Sequence, residues 1–146
     1  MNDSIEIRPA TEADTESIYQ LCVPFVDSGQ LLKRNPEEIR MLVSNGFVAI
    51  RGETETVGFA AVEIYSRKLA EILCLAVSPD CQGQGVGKRL VRQCIRFANQ
   101  HDVVELMAIS SSDHFLKNCG FDYTLPDQKR ALFINPDTID STEMSE

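Results

Sequence analysis

Three glycines at alternate positions lie where an apolar segment passes into a basic one. Gly83, Gly85 and Gly87 follow the apolar segment and directly precede Lys88 and Arg89. Backbone N–H groups at a helix start lack partners and carry the positive end of the helix dipole, and glycine leaves room for an anion to approach them. This spacing predicts a loop that binds phosphate, with the pyrophosphate of a cofactor as the leading candidate. The alternative is a glycine-rich turn that binds nothing.

Two common phosphate-binding loops do not fit these residues. A P-loop needs a glycine five residues before Gly87 and Ser or Thr after the lysine, but those positions hold Gln82 and Arg89. A dinucleotide-binding loop needs a third glycine where Lys88 stands. The remaining pattern, Gln82-x-x-Gly85-x-Gly87, resembles the acetyl-CoA motif Gln/Arg-x-x-Gly-x-Gly/Ala of the GNAT superfamily of N-acetyltransferases.

The resemblance implies that acetyl-CoA is the acetyl donor. No metal site is predicted, because the cysteines lack a metal-type Cys-x-x-Cys spacing and His114 is a lone histidine. Ten residues would bind the cofactor: the loop would bind the pyrophosphate of acetyl-CoA, and the preceding strand would pair with the peptide-like pantetheine arm. These residues are Leu75, Ala76, Val77, Gln82, Gly83, Gln84, Gly85, Val86, Gly87 and Lys88. A backbone N–H of the same strand is expected to stabilise the oxyanion that develops on the thioester carbonyl.

Glu71 is the one charged residue in the otherwise apolar segment Leu69–Val77. A carboxylate among apolar neighbours suits the removal of a proton from an ammonium group. The pattern Glu-Ile-x-x-x-Ala-Val also resembles GNAT enzymes that use this glutamate. Glu71 is therefore predicted to be the general base, directly or through a water molecule. The alternative is a glutamate at a strand start that faces solvent or pairs with Lys68.

The resemblance narrows to the acetyltransferase domain of N-acetylglutamate synthases. Four segments are similar to segments of that family: Gly29–Arg34, Ala70–Gly83, Ser112–Phe121 and Leu125–Lys129. Ser112 matches a serine of the family, which implies a role as general acid; ordinary capping of the following helix is the alternative. Many GNAT enzymes carry a tyrosine at the position that Leu116 occupies here.

Basic residues are available for an acidic acceptor. The resemblance implies that Lys33, Arg34 and Lys129 bind the substrate, and such side chains pair well with the two carboxylates of an acidic amino acid. The predicted reaction is direct acetyl transfer to the amino group of a small amine, above all an acidic amino acid such as glutamate. Three alternatives stay open: acetylation of a protein N-terminus, lysine or other amine; a non-catalytic acyl-CoA-binding module; and basic residues that are only surface charges.

Composition limits the partners and the compartment. A net charge of −8 argues against nucleic acid as a partner, and no apolar run reaches the about 18 residues of a membrane span. The first residues lack a basic segment followed by an apolar run, so secretion is not indicated. Five cysteines, an odd number without a metal-type Cys-x-x-Cys pair, favour a reducing compartment, and a cytoplasmic location is predicted. Cys81, in the loop turn, is expected to be accessible. A homodimer is left open.

Elements that could position these residues follow from hydrophobic periodicity and capping signals. They predict the order β-α-α-β-β-β-α-β-α-β, an α/β fold with a mixed central sheet flanked by about four helices, as in GNAT folds. Residues 1–136 are predicted to form a single acetyltransferase domain and the acidic residues 137–146 a disordered tail. The strand Leu69–Val77 is expected to be buried on both faces, and Phe121–Tyr123 and Ala131–Ile134 to form a last pair of strands.

Overall fold

A computed structural model of the chain describes residues 4–110, 113–123 and 132–138. Its centre is one five-stranded sheet in the order β1-β2-β3-β4-β5, antiparallel except for the parallel pair β4 and β5. The strands are β1 (Ile5–Pro9), β2 (Gly46–Arg51), β3 (Glu55–Ile64), β4 (Leu69–Val77) and β5 (Glu105–Met107). The α-helices are α1 (Thr15–Asp27), α2 (Pro36–Val43), α3 (Val86–Gln100) and α4 (Asp113–Asn118). The α/β class and the mixed sheet are as predicted.

The sheet has helices on both faces. On one face α3 packs against a buried cluster that includes Ala49, Ala60, Val62, Ala70, Ile72, Val86, Leu90 and Cys94. On the other face α1 and α2 pack against a second cluster that includes Ile18, Cys22, Ile39, Val43, Val48, Phe59, Cys74 and Ala76. In β2, for example, Ala49 belongs to the first cluster and its neighbour Val48 to the second, as the pleat of a strand requires.

Local capping signals set the helix starts. The backbone N–H of Glu38 donates to Asn35 Oδ1 at 2.8 Å, and the N–H of Asn35 donates to Glu38 Oε1 at 2.9 Å. This reciprocal pair satisfies two backbone donors that would otherwise lack partners at the start of α2. Before α1, Asp14 accepts from the backbone N–H of Thr11 at 2.8 Å and closes the 3-10 turn Glu12–Asp14. The sequence patterns Thr11-x-x-Asp14 and Asn35-Pro36-Glu37-Glu38 predict both caps, although α1 itself begins at Thr15, after the 3-10 turn.

The strand β4 has the predicted bounds, and its burial alternates along the chain. Ala70, Ile72, Cys74 and Ala76 are buried, whereas the residues between them are only half-buried. The strand thus buries residues on both faces, as expected, with Ala70 and Ile72 in the α3-side cluster and Cys74 and Ala76 in the other. Only every second residue is fully buried, because an open cleft, described below, runs along part of this strand. The half-exposed apolar residues leave part of this strand accessible to a ligand.

The predicted last pair of strands is absent from the described residues. Residues 121–123 and 132–135 have no strand pairing, and Ala131 lies outside the described residues. Leu132 and Phe133 are 92% and 79% exposed, so their apolar character does not reflect a buried strand. Pro136–Thr138, at the start of the predicted disordered tail, form a 3-10 turn, while residues 139–146 lie outside the described part.

Candidate active site

The strands β4 and β5 separate where the candidate residues lie. Their pairing covers Leu69 to Glu71 on β4, and the last pair joins Glu71 to Met107. The strand β4 continues to Val77 without a neighbouring strand at this edge among the described residues. The backbone groups along the second half of β4 are therefore open to a ligand that can pair like an added strand.

A bulge in β4 lies at the same place. On β3, Ala61 pairs with Leu73 and Phe59 pairs with Ala76. The single β3 residue Ala60 therefore lies opposite two residues of β4, Cys74 and Leu75. Cys74 adopts φ +57°, in the left-handed region, which costs a residue with a side chain about 1–2 kcal/mol. Such strain persists only where surrounding contacts hold it, and it concentrates at functional sites.

Arg34 contacts the strained residue. Its Nη1 donates to Cys74 Sγ at 2.9 Å, and the thiol is buried. Burial raises the pKa of the Cys74 thiol, and the Arg34 cation partly opposes this. The thiol therefore stays protonated near neutral pH and serves as a weak, uncharged acceptor.

A cleft of about 1240 Å³ extends from the bulge to the start of α3. Nine of the ten residues predicted to bind the cofactor line it: Leu75, Ala76, Val77, Gln82, Gly83, Gly85, Val86, Gly87 and Lys88. The tenth, Gln84, is exposed, and its side-chain amide donates to Asp80 O at 3.3 Å. The opposite walls come from α1 and its following loop, from the residues after β5, and from α4: Phe25, Gln30, Leu31, Ala108, Ile109, Ser110, Phe115, Leu116 and Cys119.

The three loop positions require glycine for different structural reasons. Gly83 and Gly85 adopt φ +81° and +82°, and no atom would lie within 4 Å of an added Cβ. Glycine is required there for its backbone conformation, which turns the chain into α3. An added Cβ at Gly87 would lie 3.1 Å from Phe115 Cζ, so this glycine lets α3 and α4 approach each other. Close packing at Gly87 was not part of the sequence prediction.

Arg51 supports the loop from behind and was missed by sequence reasoning. Its guanidinium lies 2.9 Å from Asp80 Oδ2 and 2.8 Å from Glu55 Oε2, and it donates to Cys81 Sγ at 3.2 Å. The contacts tie the β2–β3 hairpin to the 3-10 turn Pro79–Cys81 that precedes the loop. An isolated arginine at a strand end gives no local signal of such a role.

Cys81 is fully buried, which corrects the expectation that it is accessible. Its side chain belongs to the α3-side core, and burial raises the pKa of the thiol, although Arg51 partly opposes this. The 3-10 turn Pro79–Cys81 directs the side chain inward while the following glycines remain at the surface. A protonated, inaccessible thiol is unreactive.

Glu71 lies where β4 and β5 begin to separate. Its neighbours Ala70 and Ile72 belong to the α3-side core, so the half-buried Glu71 side chain projects from the face that carries α1 and α2. Its hydrogen-bond partner is the hydroxyl of Tyr65, which donates to Oε1 at 2.6 Å, not Lys68. Glu71 does not belong to the cleft lining but directly precedes Ile72, which does.

A second cavity, of about 240 Å³, adjoins the cleft on the face that carries α1 and α2. Leu31 and Cys74 line both spaces. Lys33 and Arg34 line the second cavity, together with mainly apolar residues that include Tyr19, Cys22, Val23, Val26 and Ile39. Two predicted substrate-binding residues thus lie beside the bulge, although they are about 40 positions from it along the chain.

The remaining predicted residues are only partly described. Ser112 and Lys129 lie outside the described residues. Leu116, which replaces the tyrosine of many GNAT enzymes, is buried and lines the cleft. In the described ranges 4–110, 113–123 and 132–138, no helix is long and apolar enough to cross a membrane, and no group of three or more His, Cys, Asp or Glu could hold a metal ion.

Comparison with known proteins agrees with this geometry. The profile of the acetyltransferase (GNAT) family matches residues 12–121, and the chain belongs to that family. It is therefore an N-acetyltransferase, an acyltransferase with acetyl-CoA as its donor. An uncharacterized N-acetyltransferase of Chlorobaculum tepidum is 30% identical over 116 residues, which cover 79% of this chain and 74% of that protein.

Two relatives with a named activity are longer proteins. The amino-acid acetyltransferase of Pasteurella multocida is 30% identical over 136 residues, which are 89% of this chain but 31% of that protein. The structure of N-acetylglutamate synthase from Neisseria gonorrhoeae with coenzyme A and N-acetyl-glutamate matches with a TM-score of 0.71 and 28% identity. That match covers 81% of this chain and 28% of the synthase chain. The chain thus spans about a third of the length of these two relatives.

Proposed function

We propose that the protein transfers the acetyl group of acetyl-CoA directly to the amino group of an acidic amino acid such as glutamate. The observation that carries this proposal is the second cavity, where Lys33 and Arg34 lie beside the β4 bulge at the inner end of the cleft. The lining is mainly apolar and carries two cations against one carboxylate, that of Asp27. A cavity with this excess of positive charge next to the thioester position suits a small acceptor with a carboxylate.

In this mechanism the cleft binds the donor through backbone groups. The N–H groups of the loop at Gly83–Gly87 and the positive end of α3 bind the pyrophosphate. The pantetheine arm pairs with the open edge of β4 from Leu75 to Val77. A backbone N–H at the bulge then donates to the developing oxyanion; loss of one such donor in other enzymes costs about 10²–10³-fold in rate.

Glu71 acts as the general base in this proposal. Glu71 and Cys74 are three residues apart on β4, which corresponds to about 10 Å at the usual rise per residue. The Glu71 side chain covers part of that distance, and a water molecule with one hydrogen bond to the carboxylate and one to the acceptor amine covers about 5–6 Å more. The ammonium group loses its proton through this water, and its nitrogen attacks the carbonyl carbon. The C–S bond then breaks, and a general acid, for which Ser112 is the candidate, protonates the thiolate.

The acceptor carboxylates bind to Arg34 and Lys33 in this scheme, with Lys129 as a further cation. The half-buried Arg34 donates to a neutral thiol, a weak acceptor that a carboxylate can replace with a stronger, charge-assisted bond. Two relatives are named for related activities, an amino-acid acetyltransferase and an N-acetylglutamate synthase, and these names support the same acceptor class.

Thiol release from acetyl-CoA tests the proposal, with glutamate, aspartate and glutamine compared side by side and acetyl-CoA binding measured separately by calorimetry. Turnover that favours the two acidic amino acids is expected. Binding of acetyl-CoA without turnover of any of the three would remove the acidic amino acid as acceptor. A peptide or another amine would then be the next acceptor to test.

A further inference from the structure

Tyr65 contacts the candidate base from outside the cleft. It directly follows β3, and its backbone N–H donates to Leu69 O at 3.0 Å, which closes the β3–β4 turn. From this anchored position its hydroxyl donates to Glu71 Oε1 at 2.6 Å. A hydrogen bond of this length to a carboxylate is at the strong end of the range for side chains.

A second carboxylate makes this contact more informative. Glu63 on β3 lies directly opposite Glu71 in the sheet register, so the two acidic side chains share one face. Like charges in this arrangement repel each other. On β5 the residue opposite Glu71 is Met107, which carries no charge. Without a donor between them, the Glu71 carboxylate would be pushed away from Glu63 into variable positions.

The Tyr65 hydroxyl acts as that donor throughout the useful pH range. Its hydrogen bond to Glu71, together with burial and the charges of Glu71 and Glu63, raises the pKa of Tyr65 to about 12. The phenol therefore keeps its proton wherever an ammonium group can be deprotonated and acetylated. Tyr65 cannot act as a base at such pH, but it is a permanent donor.

We infer that Tyr65 is a positioning residue for acetyl transfer: it holds the Glu71 carboxylate where β4 and β5 begin to separate, with Oε1 engaged and Oε2 available to accept the acceptor's proton through water. In the part of the chain that the structure describes, the hydrogen bond to Glu71 engages Oε1 only. The inference rests on the proposed function, since it assigns a role to Tyr65 through Glu71 as the base.

A purely structural role does not explain the contact. The side chain of Tyr65 is 53% exposed, so its ring contributes little to the core. Removal of the hydroxyl in Tyr65→Phe leaves the ring and the backbone anchor in place. The substitution is therefore expected to change catalysis and leave folding unaffected.

Kinetics of Tyr65→Phe give the first part of the test. We expect kcat to fall about 10-fold, the effect of losing one charge-assisted contact to the base, while KM for acetyl-CoA and for the acceptor changes by less than about twofold. In the Glu71→Gln background the same substitution should cause no further loss, because the group that it positions is gone. Tyr123→Phe is the matched control: Tyr123 is 65% exposed, contacts Lys117 through its ring, and lines neither cavity.

Titration of Tyr65 gives a second readout that does not depend on turnover. In the Glu71→Gln variant the pKa of Tyr65 should fall from about 12 toward the about 10 of an unperturbed tyrosine, because the charged acceptor is lost. Ring ¹³C NMR between about pH 9 and 11 would detect this, with Tyr123 as the internal reference.

Three results would overturn the inference. The first is an unchanged Tyr65 titration in Glu71→Gln, and the second is wild-type kcat in Tyr65→Phe. The third is an equal loss from Tyr65→Phe with and without Glu71, which would mean that Tyr65 acts elsewhere. A wild-type protein that binds acetyl-CoA and turns over none of the acceptors would instead refute the proposed function and, with it, the role of Tyr65; the wild-type assay distinguishes this failure from the other three.

Discussion

The guanidinium of Arg34 donates to Sγ of Cys74 at 2.9 Å, and this contact joins the segment between α1 and α2 to the strained residue of β4. A bulge residue that faces the cleft is thus linked to a cation that lines the second cavity. An anion bound in that cavity would compete with the Cys74 thiol for hydrogen bonds from the same guanidinium. Binding of the acceptor and the conformation of the bulge are therefore expected to be coupled.

Replacement of Arg34 by glutamine should weaken acceptor binding. We expect KM for the acidic amino acid to rise at least about 10-fold with a smaller change in kcat, because the lost contact is charge-assisted and is made in the ground state as well. Steady-state kinetics at saturating acetyl-CoA would measure it. Arg40→Gln is the control, since Arg40 is exposed on α2 and pairs with Glu37. Equal KM values for the two variants would contradict the assignment of Arg34.

Replacement of Glu71 by glutamine should slow the chemical step. General-base catalysis contributes about 10²–10⁴-fold, and we expect kcat to fall by an amount in this range with acetyl-CoA affinity unchanged. The control is Glu105→Gln, the same change on an exposed residue of the adjacent strand β5. A rate within about twofold of the wild type would mean that Glu71 is not the base.

Replacement of Gly85 by alanine should affect both stability and donor binding. Because Gly85 has φ +82° and open space around it, the expected cost is backbone strain of about 1–2 kcal/mol. Gly52→Ala, at φ +66° in the β2–β3 turn and outside the cleft lining, imposes a comparable strain. Urea denaturation should show similar losses for both variants, and calorimetry should show weaker acetyl-CoA binding for Gly85→Ala alone. Equal affinities would contradict the role of the loop.

The ion pair between Arg8 and Asp14 makes stability depend on pH. Arg8 donates to both oxygens of Asp14 at 2.8 and 2.9 Å, and this hydrogen bonding, together with the bond from Thr11, holds the pKa of Asp14 below its usual value. A lowered pKa in the folded state means that the stabilisation is fully present above about pH 4, the usual value, and is lost as the pH falls through the lower folded value.

The variant Asp14→Asn should therefore be less stable than the wild type by about 1–3 kcal/mol near neutral pH. The difference should shrink as the pH falls below about 4, which urea denaturation at several pH values would measure. Glu12→Gln, an exposed change in the same 3-10 turn, should alter the stability little. A difference between Asp14→Asn and the wild type that does not change with pH would mean that the pair contributes through packing and not through charge.

Much of the candidate site could be predicted because its signals are local. The glycine spacing predicted the position of the loop, and nine of the ten residues predicted to bind the donor line the cleft. The cap at Asn35 gave the start of α2. The prediction that Phe121–Tyr123 and Ala131–Ile134 form a last pair of strands was wrong for the described residues 121–123 and 132–134, which have no strand pairing; β propensity depends on packing against neighbouring strands more than on the local run.

The sequence by itself determined the order of the elements from β1 to α4, the helix starts and the glycine loop before α3, because capping, hydrophobic periodicity and glycine conformation act within a few residues. The tertiary structure alone decided that β4 bulges at Cys74, that Arg34 reaches this bulge, that Arg51 supports the loop and that Tyr65 holds Glu71. Each of these depends on the register between strands or on contacts between distant segments. Such contacts form only when the whole sheet is assembled, so the local sequence pattern cannot predict them.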